Sequence, residues 1–124
     1  MVSALESTTP VLLSLALDAA VLRQQAIAHN IANVNTPNYR PLSVRFEENM
    51  AAQRNTLAQG GKLSLASLSD YQPHMLQAAD TGKGVALDEE VAKLADNTLH
   101  HQVLLRALNK HFGLLGTAIS EGKR

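Results

Sequence analysis

The chain has 124 residues, enough for one core and no more. Its 11 Lys and Arg balance 11 Asp and Glu, so no net field draws it to nucleic acid or an anionic membrane. It has no Cys, which removes disulfide and thiolate chemistry, and its two Tyr, two Phe and no Trp leave few stacking platforms.

In chain order, Ser7-Thr8-Thr9-Pro10 reads as a helix start, with Thr9 able to cap and Pro10 suited to the first helical position. Leu12, Leu15, Ala19, Leu22 and Ala26 then recur at alternating spacings of three and four, and His29 and Asn33 extend that stripe. Ala20, Ile27, Ile31 and Val34 form a neighbouring stripe. The pattern predicts a helix over residues 10–35. Its apolar stretch Val11 to Leu22, interrupted by Asp18, is too short and polar to span a bilayer, and Glu6 stands where a secretion signal would carry basic charge. Direct membrane insertion is therefore not expected.

Asn30-Ile31-Ala32-Asn33-Val34-Asn35-Thr36-Pro37-Asn38-Tyr39 closes that helix. A pre-proline residue is pushed out of the helical region, so Thr36 stops the helix, and Pro37-Asn38 fits the centre of a turn because Asn tolerates a positive φ. Asn33 and Asn35 suit a helix end. Asn30 sits a turn earlier, on the same face as Asn33, where the two amides can bond to a neighbouring helix or back to the following turn. A buried amide costs stability unless paired, so it favours the register that pairs it.

Residues 40–87 are weakly specified. Leu42, Val44 and Phe46 alternate with Ser43 and Arg45, which suggests a short extended piece; Phe46 to Leu57 allows a weak helix, and Gly60 to Gly84 reads as mobile. Asp88 is a good cap for a second helix over residues 88–119, and Glu89 and Glu90 suit its positive end. Val91, Leu94, Thr98, His101, Leu105, Leu108, Phe112, Leu115 and Ile119 alternate three and four, the pattern of a helix packed along a partner. Leu99, Val103, Leu104 and Leu114 are left over. Such stripes exceed what one partner covers, so the chain is expected to pack against further copies or other chains.

Chemistry is sparse. No two of the five His stand at the i, i+4 spacing of a helical metal pair, and His29 and His101, both on stripes, read as partly buried packing residues. Gly60-Gly61-Lys62 and Gly82-Lys83-Gly84 lack phosphate-loop spacing, and capping accounts for Asp88-Glu89-Glu90. The sequence reads as no enzyme, with no catalytic residue, cofactor or metal.

Ala28 to Tyr39 resembles the N-terminal signature of the bacterial flagellar rod and hook proteins, an N-I-A-N followed after two variable residues by T-P-x-Y, with Asn38 in place of the usual glycine. Gly82 to Asn97 is similar to the G-N-x-V-x-L-x-x-E-M-x-x-L-A-x-N run of the family's proximal-rod type, with Lys83 replacing Asn. The next rod protein along the axis, which tends to be longer, is the nearest competitor. The resemblance implies an all-α fold of two long terminal helices packed as an antiparallel coiled-coil-like pair, with a loose, partly disordered middle. Leu12, Leu15, Ala19, Leu22 and Ala26 would then pair with Val91, Leu94, Leu105, Leu108, Phe112 and Leu115. Asn30, Ile31, Asn33, Thr36, Pro37 and Tyr39 would carry the signature and fix the register, and Leu99 and Val103 would meet neighbouring subunits. It also implies a structural subunit of the proximal rod, exported without a cleaved signal through the flagellar type III apparatus. Such a subunit polymerises into a helical, torque-transmitting tube around the export channel. Its partners would be further copies of itself, other rod proteins, and the MS ring and rod adaptor at the base. A small cytoplasmic helical adaptor or chaperone that binds a partner's helix is the alternative.

Overall fold

A computed structural model describes residues 2–60 and 71–122. Its elements are α1 (Val2–Ala32), β1 (Leu42–Arg45), α2 (Glu47–Ala58), β2 (His74–Gln77) and α3 (Leu87–Gly122). The chain is mainly helical, with two long helices packed together. It is not strictly all-α, because β1 and β2 form a two-stranded antiparallel sheet with Leu42 opposite Gln77 and Arg45 opposite His74.

α1 does not begin at Pro10 but runs through it from Val2. Proline inside a helix removes one N–H and its bond to the residue four back, a loss the helix tolerates here in its first third. At the other end of the chain, α3 begins at Leu87, and the Glu90 N–H bonds the Ala86 carbonyl at 3.0 Å, so Asp88 lies inside the first turn rather than before it. Asp88 still receives the Glu89 N–H at 3.0 Å and places charge at the positive end of the helix.

The two long helices run antiparallel: Glu90 of α3 meets Asn30 of α1, and seven residues later Asn97 meets Ala20 and Gln24. Ala19, Ala20 and Ala26 are buried where α1 turns inward, and Leu12 and Leu22 are half-buried on the same side. The middle of the chain adds the rest of the core. Phe46, between β1 and α2, packs with Leu15 and Ala19, and Met50 of α2 leans on the same cluster. An ion pair from Arg23 to Glu47 and one from Arg45 to Glu48 at 3.0 Å dress this junction at the surface.

In β1, Leu42 and Val44 are half-buried and Ser43 and Arg45 exposed, as the alternation predicts. β2 falls where mobility was expected. It is held by β1, by the Ala78 N–H on the Pro41 carbonyl at 2.8 Å, and by Arg40 Nε on the Ala78 carbonyl at 2.8 Å. The part of that stretch from 61 to 70 lies outside the described residues.

Within Thr9–Ala32 of α1 an 18-residue window reaches a mean hydropathy of 1.4, long and apolar enough to cross a membrane by length and composition, which Val11 to Leu22 alone does not reveal. Leu15, Ala19, Ala20, Ala26 and Ile27 are nevertheless buried within the chain, as in a core helix that packs against α3 and β1.

Candidate functional site: the asparagine hub

The last turns of α1 carry the side chain around which the fold closes. Asn30 is 2% exposed and is the largest fully buried side chain among the described residues. An amide offers two N–H donors and two acceptor lone pairs. Asn30 Nδ2 donates to the Leu42 carbonyl at 2.9 Å and to Glu90 Oε2 at 3.0 Å. Its Oδ1 accepts the Tyr39 hydroxyl at 2.8 Å and the Leu42 N–H at 2.8 Å. All four capacities are used, toward Glu90 on the neighbouring helix and toward Tyr39 and Leu42 beyond the following turn. Toward Leu42 the side-chain amide acts as a rung of sheet, engaging both backbone groups of the first residue of β1.

Glu90 completes the hub from α3. It is 4% exposed, and its second oxygen accepts Lys93 Nζ at 3.0 Å. A buried carboxylate is tolerable when paired, hydrogen-bonded and set in the first turn of a helix, and Glu90 meets all three conditions. Burial first, and the Glu90 charge second, raise the Tyr39 pKa above its ordinary value, so the phenol keeps the proton it donates to Asn30.

Asn33 has a different task. Its Nδ2 donates to the His29 carbonyl at 2.8 Å, its Oδ1 accepts the Thr36 hydroxyl at 3.0 Å, and its own carbonyl accepts the Thr36 N–H at 3.0 Å. The Thr36 N–H thus satisfies the Asn33 carbonyl beyond the helix end, while the His29 carbonyl accepts the Asn33 side chain in addition to the Asn33 N–H at 3.1 Å. Pro37 and Asn38 follow as the centre of the turn, and Asn38 adopts φ 59°, the left-handed value that Asn accepts at low cost. The turn swings Tyr39 back over Asn30. Ile31 is half-buried beside them, and His29, expected partly buried, is exposed.

Along the helix pair the structure divides the predicted contact residues. Leu94, His101, Leu108 and Leu115 of α3 are half-buried. Val91, Leu105 and Phe112 are instead 52%, 40% and 53% exposed. The inward row is Glu90, Leu94, Asn97, His101, Leu104, Leu108, His111 and Leu115, the same alternation shifted by one residue at every other step. Asn97 is buried at 7% exposure, and its Nδ2 reaches the Ala20 carbonyl at 2.9 Å and Gln24 Oε1 at 3.3 Å. Sequence reasoning read Glu90 only as a favourable charge at the helix start and did not single out Asn97. Their signal was present, since both fall on fixed letters of the proximal-rod run, seven residues apart.

Beside the seam lies a groove of about 730 Å³ between α1, β1 and α3, with Ile27, Leu42, Val44, Leu99 and Val103 in its walls. Arg23, Glu47, Lys93, Asp96, Asn97 and His100 line it as well.

Comparison with known proteins places this geometry. A family described as flagella basal body rod protein matches residues 14–40, the stretch from α1 through the signature turn. FlgB, the flagellar basal body rod protein of Bacillus subtilis, is 31% identical over 87% of this chain and 90% of its own length. The chain belongs to the flagellar basal body rod protein family. Within it the chain is most like FlgB: the Borrelia hermsii FlgB is 29% identical over 77% of this chain and 84% of its own length, and that of Borreliella burgdorferi is 26% identical over the same shares. As a rod protein it is a structural subunit of the flagellar basal body rod, and the adaptor or chaperone alternative is not favoured. The hub thus joins Asn30 and Tyr39, which lie in the stretch the family matches, to Glu90 at the start of α3.

Proposed function

We propose that this rod protein is a proximal-rod subunit that polymerises through the outer faces of α3 while the asparagine hub fixes the shape of each subunit. The observation that carries the reading is the apolar surface left uncovered on α3. Leu99, Val103 and Leu114 are 62%, 63% and 63% exposed, and Ile119 is 62% exposed beside Phe112. At about 100° per residue, Leu105 lies roughly 200° round the helix from Val103, with the seam residue Leu104 between them. α3 therefore shows one apolar flank on each side of the intrachain contact. Two unlike flanks support a heterologous contact, which extends into an open helical array, rather than an isologous dimer.

In this reading the subunit takes its place in a tube that transmits torque and surrounds the export channel. Its partners are further copies, other rod proteins, and the MS ring and rod adaptor at the base. It reaches the periplasmic rod through the flagellar type III apparatus. Support comes from membership of the rod family, from likeness to FlgB, and from the apolar flanks.

The test is the double variant Leu99→Lys and Val103→Lys. Both positions are exposed, so the isolated chain should lose no more than ~0.5 kcal/mol per site. Cells carrying the variant should fail to swim and should yield basal bodies lacking the chain. Normal motility, with the variant present in purified basal bodies, would overturn the assignment of this flank to assembly.

A further inference from the structure

We draw no further inference here: the strongest candidate, the groove of about 730 Å³ between α1, β1 and α3 walled by Ile27, Val44, Leu99 and Val103, belongs to the self-association surface already proposed, and nothing in the structure shows which segment covers it.

Discussion

Replacing Asn30 tests whether the hub holds the subunit together. Asn30→Leu keeps the approximate volume but removes four hydrogen bonds at once. Tyr39 is half-buried and can turn to water, and Glu90 keeps Lys93 on one oxygen. The Leu42 N–H, the Leu42 carbonyl and the other Glu90 oxygen have no such outlet. Three orphaned groups cost ~1–3 kcal/mol each, partly offset by the burial of an apolar side chain, which leaves a net loss of ~2–6 kcal/mol. With a urea dependence of ~2 kcal/mol/M, the unfolding midpoint of the purified chain should fall by ~1–3 M.

Asn30→Asp separates lost bonding from lost shape. The carboxylate keeps both accepted bonds but turns its former donor toward Glu90 Oε2, 3.0 Å away in the native chain. Two carboxylates at that distance cannot both ionise cheaply, so the pair's folded pKa rises above the unfolded carboxylate range of ~4. The native state then binds more protons than the unfolded state in that window, and stability falls as pH rises through the folded value. The deficit of Asn30→Asp against the native chain should therefore be largest at pH 7 and shrink on acidification toward pH 5, whereas the deficit of Asn30→Leu should not follow that course. Helicity followed by circular dichroism across urea gradients at several pH values reads both. An unchanged midpoint for Asn30→Leu, or a pH-independent deficit for Asn30→Asp, would refute the hub as described.

Three more variants probe separate links. Tyr39→Phe removes one bond to Asn30 and should cost ~1 kcal/mol at neutral pH. Because the native Tyr39 pKa is raised, its stabilising share is intact below the unfolded phenol value and lost as pH climbs through the folded one. Urea midpoints from pH 8 to 11 should accordingly converge for the two chains, and parallel curves would count against it. Asn97→Leu should cost less than ~1 kcal/mol, since the Ala20 carbonyl keeps its helical bond and Gln24 is exposed, so nothing buried is orphaned; a loss as large as that of Asn30→Leu would show the contrast to be mistaken. Gly113→Ala and Gly116→Ala meet nothing within 4 Å inside the chain and should each raise stability by up to ~1 kcal/mol. A thermal melt that moves downward would mean these positions are crowded within the subunit.

How much was legible follows from how local each signal is. The long helices and the left-handed Asn38 of the turn depend on neighbours in sequence, so periodicity and turn chemistry reach them, although α1 ends at Ala32 and not at the expected residue 35. β2 depends on β1, thirty residues upstream, and only Met75 among its residues is drawn inward, so no alternation announces it. The α3 seam was half legible for a more instructive reason. Leu94, His101, Leu108 and Leu115 follow from the heptad, but the alternate rung offers two neighbouring rows. One is apolar (Val91, Leu105, Phe112, with Ile119 beyond), and the other holds Glu90, Asn97, Leu104 and His111. Counting apolar residues selects the first, and the fold uses the second, in which Glu90 bonds Asn30 and Asn97 bonds the Ala20 carbonyl.

That exchange bears on what the rod signature does. A subunit whose seam took the apolar row would bury it against α1 and keep only the Leu99, Val103 and Leu114 flank for a neighbour. By spending polar residues on the inside, where Asn30 and the Ala20 carbonyl satisfy them, α3 keeps Val91, Leu105, Phe112 and Ile119 outside. Asn30 has no bonding capacity left for another copy, so in the proposed assembly the joint between subunits falls to α3 rather than to the signature. The two kinds of residue should then fail differently. Hub variants should lower the stability of the isolated chain, and flank variants should leave it folded yet unable to join the rod.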